Sequence, residues 1–153
     1  MMTVFFNGAG LYKLDVLPER ETINSRSFRY RILYPMRRLV LQQQFDDGAE
    51  VLIHYDNAPA HTVRATQTAV QNAEYEKLVH PPYSPDLAPC DFFLFRNLKQ
   101  YLEGNRHLTK EQLLQQIRQI LDAIPQRTWR AVFCNWLERL RSCIELHGEY
   151  VEI

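Results

Sequence analysis

The sequence predicts an α/β chain with a helical C-terminal part, and three observations carry that prediction. Short β-branched and aromatic runs in the first half alternate with amphipathic helical patterns. A stretch holding Pro81, Pro82, Pro85 and Pro89 follows them. Beyond it, two long apolar periodicities of helical spacing complete the chain.

The elements follow in order. Thr3 to Phe6 are β-branched or aromatic, Asn7-Gly8-Ala9-Gly10 supplies turn chemistry, and Leu11 to Leu17 alternate roughly between apolar and polar, which predicts a β-hairpin over 3–17. Past Pro18, the polar segment Thr22 to Ser25 can cap a helix over 25–41, whose apolar positions are Phe28, Ile32, Leu33, Met36 and Leu39. Pro35 is expected to kink or shorten it, because proline lacks a backbone N–H and crowds the preceding turn. Residues 42–48 read as a polar connection. The short apolar run Val51-Leu52-Ile53 predicts a buried strand over 50–55, with Asp56 just past its end.

After Asn57-Ala58-Pro59, a short helix over 62–72 places Val63, Thr66, Ala69 and Val70 on one face, and a strand is expected over 75–79. The order to this point is β-β-α-β-α-β. The four prolines make 80–90 a stiff, shaped loop, and Asp91 opens a helix over 91–103 that turns Leu94, Phe95, Leu98, Tyr101 and Leu102 toward a core and stops at Gly104-Asn105. Thr109 and Gln112 form a capping-box pattern ahead of a helix over 110–123 with Leu113, Leu114, Ile117, Ile120 and Leu121 at amphipathic spacing. Trp129, Val132, Phe133, Trp136, Leu137, Leu140 and Ile144 repeat that pattern over 127–146. No internal repeat, low-complexity tract or long linker divides the 153 residues, so a single domain is expected.

Composition narrows the function classes. A hydrophobic content of 46% suffices for a core of this size. Lysine plus arginine total 18 and aspartate plus glutamate total 18, so net charge argues neither for nor against a polyanionic partner. Cys90, Cys134 and Cys143 are odd in number and lack C-x-x-C spacing, which argues against a disulfide framework or a zinc site and fits a reducing, intracellular setting. No stretch approaches the roughly 20 apolar residues of a membrane span, and the Val4 to Phe6 run is too short for a signal-peptide core, so a soluble protein without a membrane partner is expected.

The residues suited to chemistry are Asp56, at the end of a strand, and Asp91, at the start of a helix, with thirty-four residues (57 to 90) between them. Magnesium prefers hard oxygen ligands and usually takes one or two protein carboxylates, filling its octahedron with waters and phosphate oxygens. Taken alone, Asp56 also reads as a turn residue beside Asn57, and Asp91 as a helix N-cap. His54, His61 and His80 cluster around the same elements without any zinc-type spacing, so hydrogen bonding within turns or core is the expected role. The periodicity of the tryptophans is that of a buried face rather than of a nucleobase platform.

Two long segments add a family resemblance. His54-Tyr55-Asp56-Asn57-Ala58-Pro59-Ala60-His61 and His80-Pro81-Pro82-Tyr83-Ser84-Pro85-Asp86-Leu87-Ala88-Pro89-Cys90-Asp91-Phe92-Phe93-Leu94-Phe95 strongly resemble the catalytic motifs of mariner-like DNA transposases. The likeness extends to Leu17-Pro18-Glu19-Arg20-Glu21-Thr22-Ile23-Asn24-Ser25 and to Gly148-Glu149-Tyr150. It implies a ribonuclease H-like catalytic core, a mixed sheet flanked by helices. It also implies three metal-binding acidic residues, of which Asp56 matches the second and Asp91 the third. The implied cofactor is Mg²⁺ or Mn²⁺, and the implied partner is DNA, both transposon ends and target, bound by a homodimer in the cell and in the nucleus of a eukaryote. The implied chemistry is cleavage of a phosphodiester at the transposon end, followed by transfer of the freed 3′-hydroxyl to target DNA.

The resemblance also sets an expectation of incompleteness. The family's first catalytic aspartate lies on a central strand ahead of the segment that matches Thr3 to Phe6, and the sequence starts at Met1. A catalytic domain without its first strand and first ligand is therefore expected, with a gap in the sheet, and without the N-terminal helix-turn-helix modules that recognise transposon ends. Asp15 matches the second strand of the hairpin rather than that first strand. The expected protein is thus a fragment of a transposase core, weak or inactive alone, and the alternative is a catalytically dead remnant retained for binding DNA or protein.

Overall fold

The computed structural model describes residues 1–42, 51–103 and 108–152; most of the polar connection expected over 42–48, the first residue of the strand expected over 50–55 and the helix stop expected at Gly104-Asn105 lie outside them. Two compact units divide the chain, one formed by Met1–Val4 with Lys13–Pro82 and the other by Phe5–Tyr12 with Tyr83–Ile153. The hairpin strands β1 (Met2–Asn7) and β2 (Gly10–Val16) contribute their open end to the first unit and their turn to the second. Asn7 shapes that turn, its Oδ1 accepting from the N–H groups of Ala9 at 2.8 Å and Gly10 at 3.2 Å. Gly10 adopts φ +148°, a conformation open to a residue without Cβ.

In the first unit a continuous helical run spans Ser25–Ser27, a π-helical Phe28–Leu33 and Tyr34–Gln42. Its start is a capping box, in which Asn24 Oδ1 accepts from Ser27 N–H and Ser27 Oγ accepts from Asn24 N–H. Pro35 does not end the helix. The widened turn just before it, closed by Tyr34 N–H donating to the Arg29 carbonyl, gives the ring room that a regular α-turn would deny it. Phe28, Ile32, Leu33, Met36 and Val40 are buried, whereas Leu39 is 36% exposed.

Strands β3 (Val51–Ile53) and β4 (Tyr75–Lys77) pair in parallel, with Leu52 opposite Glu76. Both end earlier than the strands expected over 50–55 and 75–79: beyond Ile53, His54 and Tyr55 leave the ladder for side-chain contacts, and Leu78 N–H closes it on the Ile53 carbonyl. The connecting helix is divided into Pro59–Thr62 and Arg64–Asn72 by an extended Val63, and it buries Ala60, Thr66, Ala69 and Val70. Thr66 Oγ1 donates to the Ala60 carbonyl at 2.7 Å, tying the two pieces together. Val63 itself is 47% exposed. Among the described residues, the hairpin and the β3–β4 pair form separate two-stranded sheets.

The second unit packs a 3-10 turn (Pro85–Leu87), a π-helical Cys90–Phe95 running into Arg96–Leu102, and the helices Lys110–Asp122 and Gln126–Glu145. Thr109 and Gln112 make the capping box, with Thr109 N–H donating to Gln112 Oε1 at 2.9 Å and Gln112 N–H to Thr109 Oγ1 at 3.3 Å. Leu94, Leu98, Ile117, Leu121, Trp129, Val132 and Trp136 are buried, but Phe95, Tyr101, Leu137 and Ile144 of the expected apolar faces are exposed. The tryptophans are core residues. Trp129 is 2% exposed against Phe6, at 5.1 Å between centroids, and Phe93, at 5.8 Å. The Trp136 indole donates to the Leu87 carbonyl at 2.8 Å.

Candidate metal centre

Asp56 sits in the turn that leaves the C-terminal end of β3, where ligands gather in open parallel sheets. Its Oδ1 accepts from Ala58 N–H at 3.1 Å, an Asx turn that starts the short helix Pro59–Thr62. The same oxygen lies 2.8 Å from His61 Nδ1. Carboxylate and imidazole are differently placed, the Asp56 side chain being 62% exposed and that of His61 only 15%. The His61 ring packs against Phe28, at 4.4 Å between centroids, and Tyr55, at 4.8 Å.

The neighbouring residues brace this turn. Asn57 Nδ2 donates to the His80 carbonyl at 2.7 Å, fastening the turn after β3 to the segment after β4. His54 Nε2 meets His80 Nδ1 at 3.1 Å. Burial, then the facing His80, then Lys77 pull the His54 pKa from its ordinary 6.5 down to about 4, and Asp56 opposes the shift. The Lys77 ammonium lies 4.8 Å from the Tyr55 ring centre, and burial raises the pKa of the Tyr55 hydroxyl. All three histidines thus make the turn and core hydrogen bonds expected of them.

Asp91, in the second unit, is exposed and lies inside the π-helical turn Cys90–Phe95, whose N-cap is Pro89 without a side-chain cap bond. It is therefore a first-turn residue rather than the N-cap, held by its N–H donating to the Ala88 carbonyl at 2.8 Å. The lead-in to this turn is rigid. Asp86 is 3% exposed and its Oδ2 accepts from Val151 N–H at 2.9 Å. Arg139, 7% exposed, donates through Nη1 to the Asp86 carbonyl at 3.2 Å and the Val151 carbonyl at 3.3 Å, with its guanidinium 4.4 Å from the Phe92 ring centre. No local sequence pattern marks Asp86, Arg139 or Val151 as partners, because their contacts join residues far apart in the chain.

Among the described residues, no three His, Cys, Asp or Glu side chains gather as a ligand cluster. Asp15, the other carboxylate weighed from the sequence, is committed to Arg31 Nε at 3.3 Å. As donors, the Asp56 and Asp91 carboxylates fit Mg²⁺ or Mn²⁺: they are hard oxygens on exposed side chains, and such ions take one or two protein carboxylates alongside water and phosphate oxygens.

A second feature escaped the composition-level reading. Between Thr22 and Arg38 the sequence holds Arg26, Arg29, Arg31, Arg37 and Arg38 and no carboxylate. Arg31 pairs with Asp15 and Arg37 with Glu74, whereas Arg26, Arg29, Arg38 and Arg64 make no ion pair among the described residues. Arg29 and Arg64 line an open groove of about 610 Å³ with Tyr34, Thr68 and Asn72. Arg26 and Tyr30 line a smaller depression of about 350 Å³. Tyr30 is 60% exposed.

Strand pairs flanked by helices make a mixed α/β fold, and its match to the Mos1 catalytic domain shows it to be ribonuclease H-like. Over nearly its whole length the chain is similar to the catalytic domain of a mariner transposase. It is 28% identical over 155 residues to the mariner Mos1 transposase of Drosophila mauritiana and 26% identical over 153 residues to the histone-lysine N-methyltransferase SETMAR of Homo sapiens. Each match takes in 99% of this chain, but 45% of the Mos1 transposase and 22% of SETMAR, so the chain spans less than half the length of these relatives. The crystal structure of the Mos1 catalytic domain matches 99% of the chain with a TM-score of 0.90 at 26% identity, covering 75% of that domain. The Mos1 paired end complex with Mn matches equally well, at 0.90 and 26% over 99% of this chain and 44% of that one. No protein-family model matches the chain. Among the described residues, no helix is long and apolar enough to cross a membrane.

Proposed function

We propose that the chain is the catalytic-core portion of a cut-and-paste DNA transposase, in which Asp56 and Asp91 are two of the metal ligands and the ion is Mg²⁺ or Mn²⁺. The observation that carries this reading is Asp56 itself. In a chain that matches the Mos1 catalytic domain over 99% of its length, an exposed carboxylate sits in the turn just past a parallel strand and is fastened through one oxygen by two donors. Bound divalent metal would supply activation of the attacking oxygen and stabilisation of the leaving oxygen. Asp56 presents its carboxylate from the end of a strand and Asp91 from the first turn of a helix. In the two steps, water opens a phosphodiester at the element's end and releases a 3′-hydroxyl. That hydroxyl then attacks a target phosphodiester and displaces the target strand's 3′-oxygen.

DNA is the partner of this chemistry, with homodimeric assembly on paired ends inside the cell, and inside the nucleus of a eukaryote. The groove of Arg29, Arg64, Tyr34, Thr68 and Asn72 supports it, since guanidinium, hydroxyl and amide donors are the usual contacts to phosphate oxygens. Because that groove needs no metal, it also favours a second reading, a DNA-binding module without catalysis.

One experiment separates the two: Mg²⁺- or Mn²⁺-dependent nicking of a DNA substrate by the purified chain and by Asp56→Ala. Metal-dependent products from the parent, at most weak for an incomplete core, that vanish in the variant support the enzymatic reading. Equal background-level products from both refute the enzymatic reading, and DNA binding that persists in EDTA then supports the binding module.

A further inference from the structure

The geometry points to His61 as the residue that positions Asp56 for metal, an inference that rests on the proposed role of Asp56 as a ligand. An exposed aspartate at the end of a strand samples several rotamers, and a ligand that must be ordered when the ion arrives binds it less tightly. Asp56 is exposed, yet two donors converge on its Oδ1, the Ala58 N–H at 3.1 Å and His61 Nδ1 at 2.8 Å. A carboxylate only accepts, so the Nδ1 position carries the proton and the tautomer is set. His61 Nδ1 also lies 3.3 Å from the Asp56 backbone carbonyl, so it spans main chain and side chain of the same residue.

The imidazole is itself fixed. Its ring packs against Phe28 and Tyr55, and its backbone N–H donates to the Ala58 carbonyl at 2.8 Å. Pro59 at the first helical position presets the turn that brings residue 61 back over residue 56. A half-buried, oriented donor behind an exposed carboxylate is the arrangement by which outer residues orient metal ligands, and its loss typically lowers metal affinity 10- to 100-fold.

Packing alone would give His61 a different signature, and a set of variants tells the two apart. Mn²⁺ binding to the full chain is measured by titration calorimetry, together with thermal midpoints in EDTA. His61→Phe keeps the aromatic contacts and removes the donor. It is expected to retain its metal-free midpoint and to bind Mn²⁺ about 10- to 100-fold more weakly. His61→Asn, whose amide nitrogen falls near the place of Nδ1, is expected to recover most of the affinity, and His61→Gln, whose amide reaches too far, is not. The Asn and Gln comparison decides the matter if His61→Phe does not fold. Parent-like affinity in His61→Phe, or equal affinity in the Asn and Gln variants, overturns the role of His61 while leaving Asp56 a ligand. A parent that binds no Mn²⁺, or an Asp56→Asn variant that binds it as well as the parent, overturns the reading of Asp56 and the inference with it.

Discussion

Asp86 offers a quantitative test of how the second unit holds the turn that leads to Asp91. Its carboxylate is 3% exposed, as is Val151, and the Val151 N–H donates to Asp86 Oδ2 at 2.9 Å. Asp86→Ala removes the acceptor and strands a buried N–H, at a cost of about 1–3 kcal/mol. For a protein of this size each kcal/mol moves the melting midpoint by about 2–4 °C, so a fall of about 2–12 °C is expected. Asp86→Asn keeps an oxygen in place for Val151 and should lose much less. Oδ1 of Asp86 has no hydrogen-bond partner among the described residues, so exchanging that oxygen for an amide nitrogen removes no bond. The assays are thermal and urea unfolding of parent and variants, with amide hydrogen exchange at Val151 as the local readout. A midpoint unchanged by Asp86→Ala, or an Asn variant as damaged as the Ala variant, would refute the reasoning.

Other outcomes follow from the site. His54 has a folded pKa of about 4 against an ordinary 6.5, so folding excludes a proton between those values. Stability from this group is present above about pH 6.5 and is lost as pH falls toward about 4, and a thermal-midpoint series over that window should flatten in His54→Gln. Replacing Arg29 and Arg64 together by alanine should weaken DNA binding in EDTA across all sequences. The variant should also lower the slope of log K against log salt by up to about 2, as two lost phosphate contacts require; an unchanged slope excludes the groove as a contact surface.

Local chemistry explains what could be read in advance. The Thr109–Gln112 capping box needs only neighbours in sequence, and it formed as its residue types suggested. The burial of Ile117 and Leu121 likewise follows from a period that any amphipathic helix obeys. The π turns at 28–33 and 90–95 left no mark in composition, because a shift in hydrogen-bond register changes which carbonyl is used and not which residues are present. Leu137 and Ile144 fit the period but face solvent, since periodicity marks a face without saying how far along the helix a partner extends. The Asp56–His61 bond joins residues only five apart, yet it depends on the proline-initiated turn between them. The arginine groove was masked by a net charge of zero, which averages away an acid-free stretch. The division into two units carries no linker signature, because the hairpin serves both.

That shared hairpin sets an order of assembly during synthesis. Phe6, near its tip, finds its aromatic neighbours on the helix Gln126–Glu145, where Trp129 lies 5.1 Å and Phe133 6.0 Å away between centroids. The residues from Phe6 through Phe133 must therefore leave the ribosome before those partners exist, while the open end of the same strands can settle much earlier with the first unit. The long loop closed by the contact slows its formation, and until then an aromatic strand tip stays uncovered. Nascent chains stalled before Trp129 should accordingly be the species most prone to capture by chaperones or to aggregation.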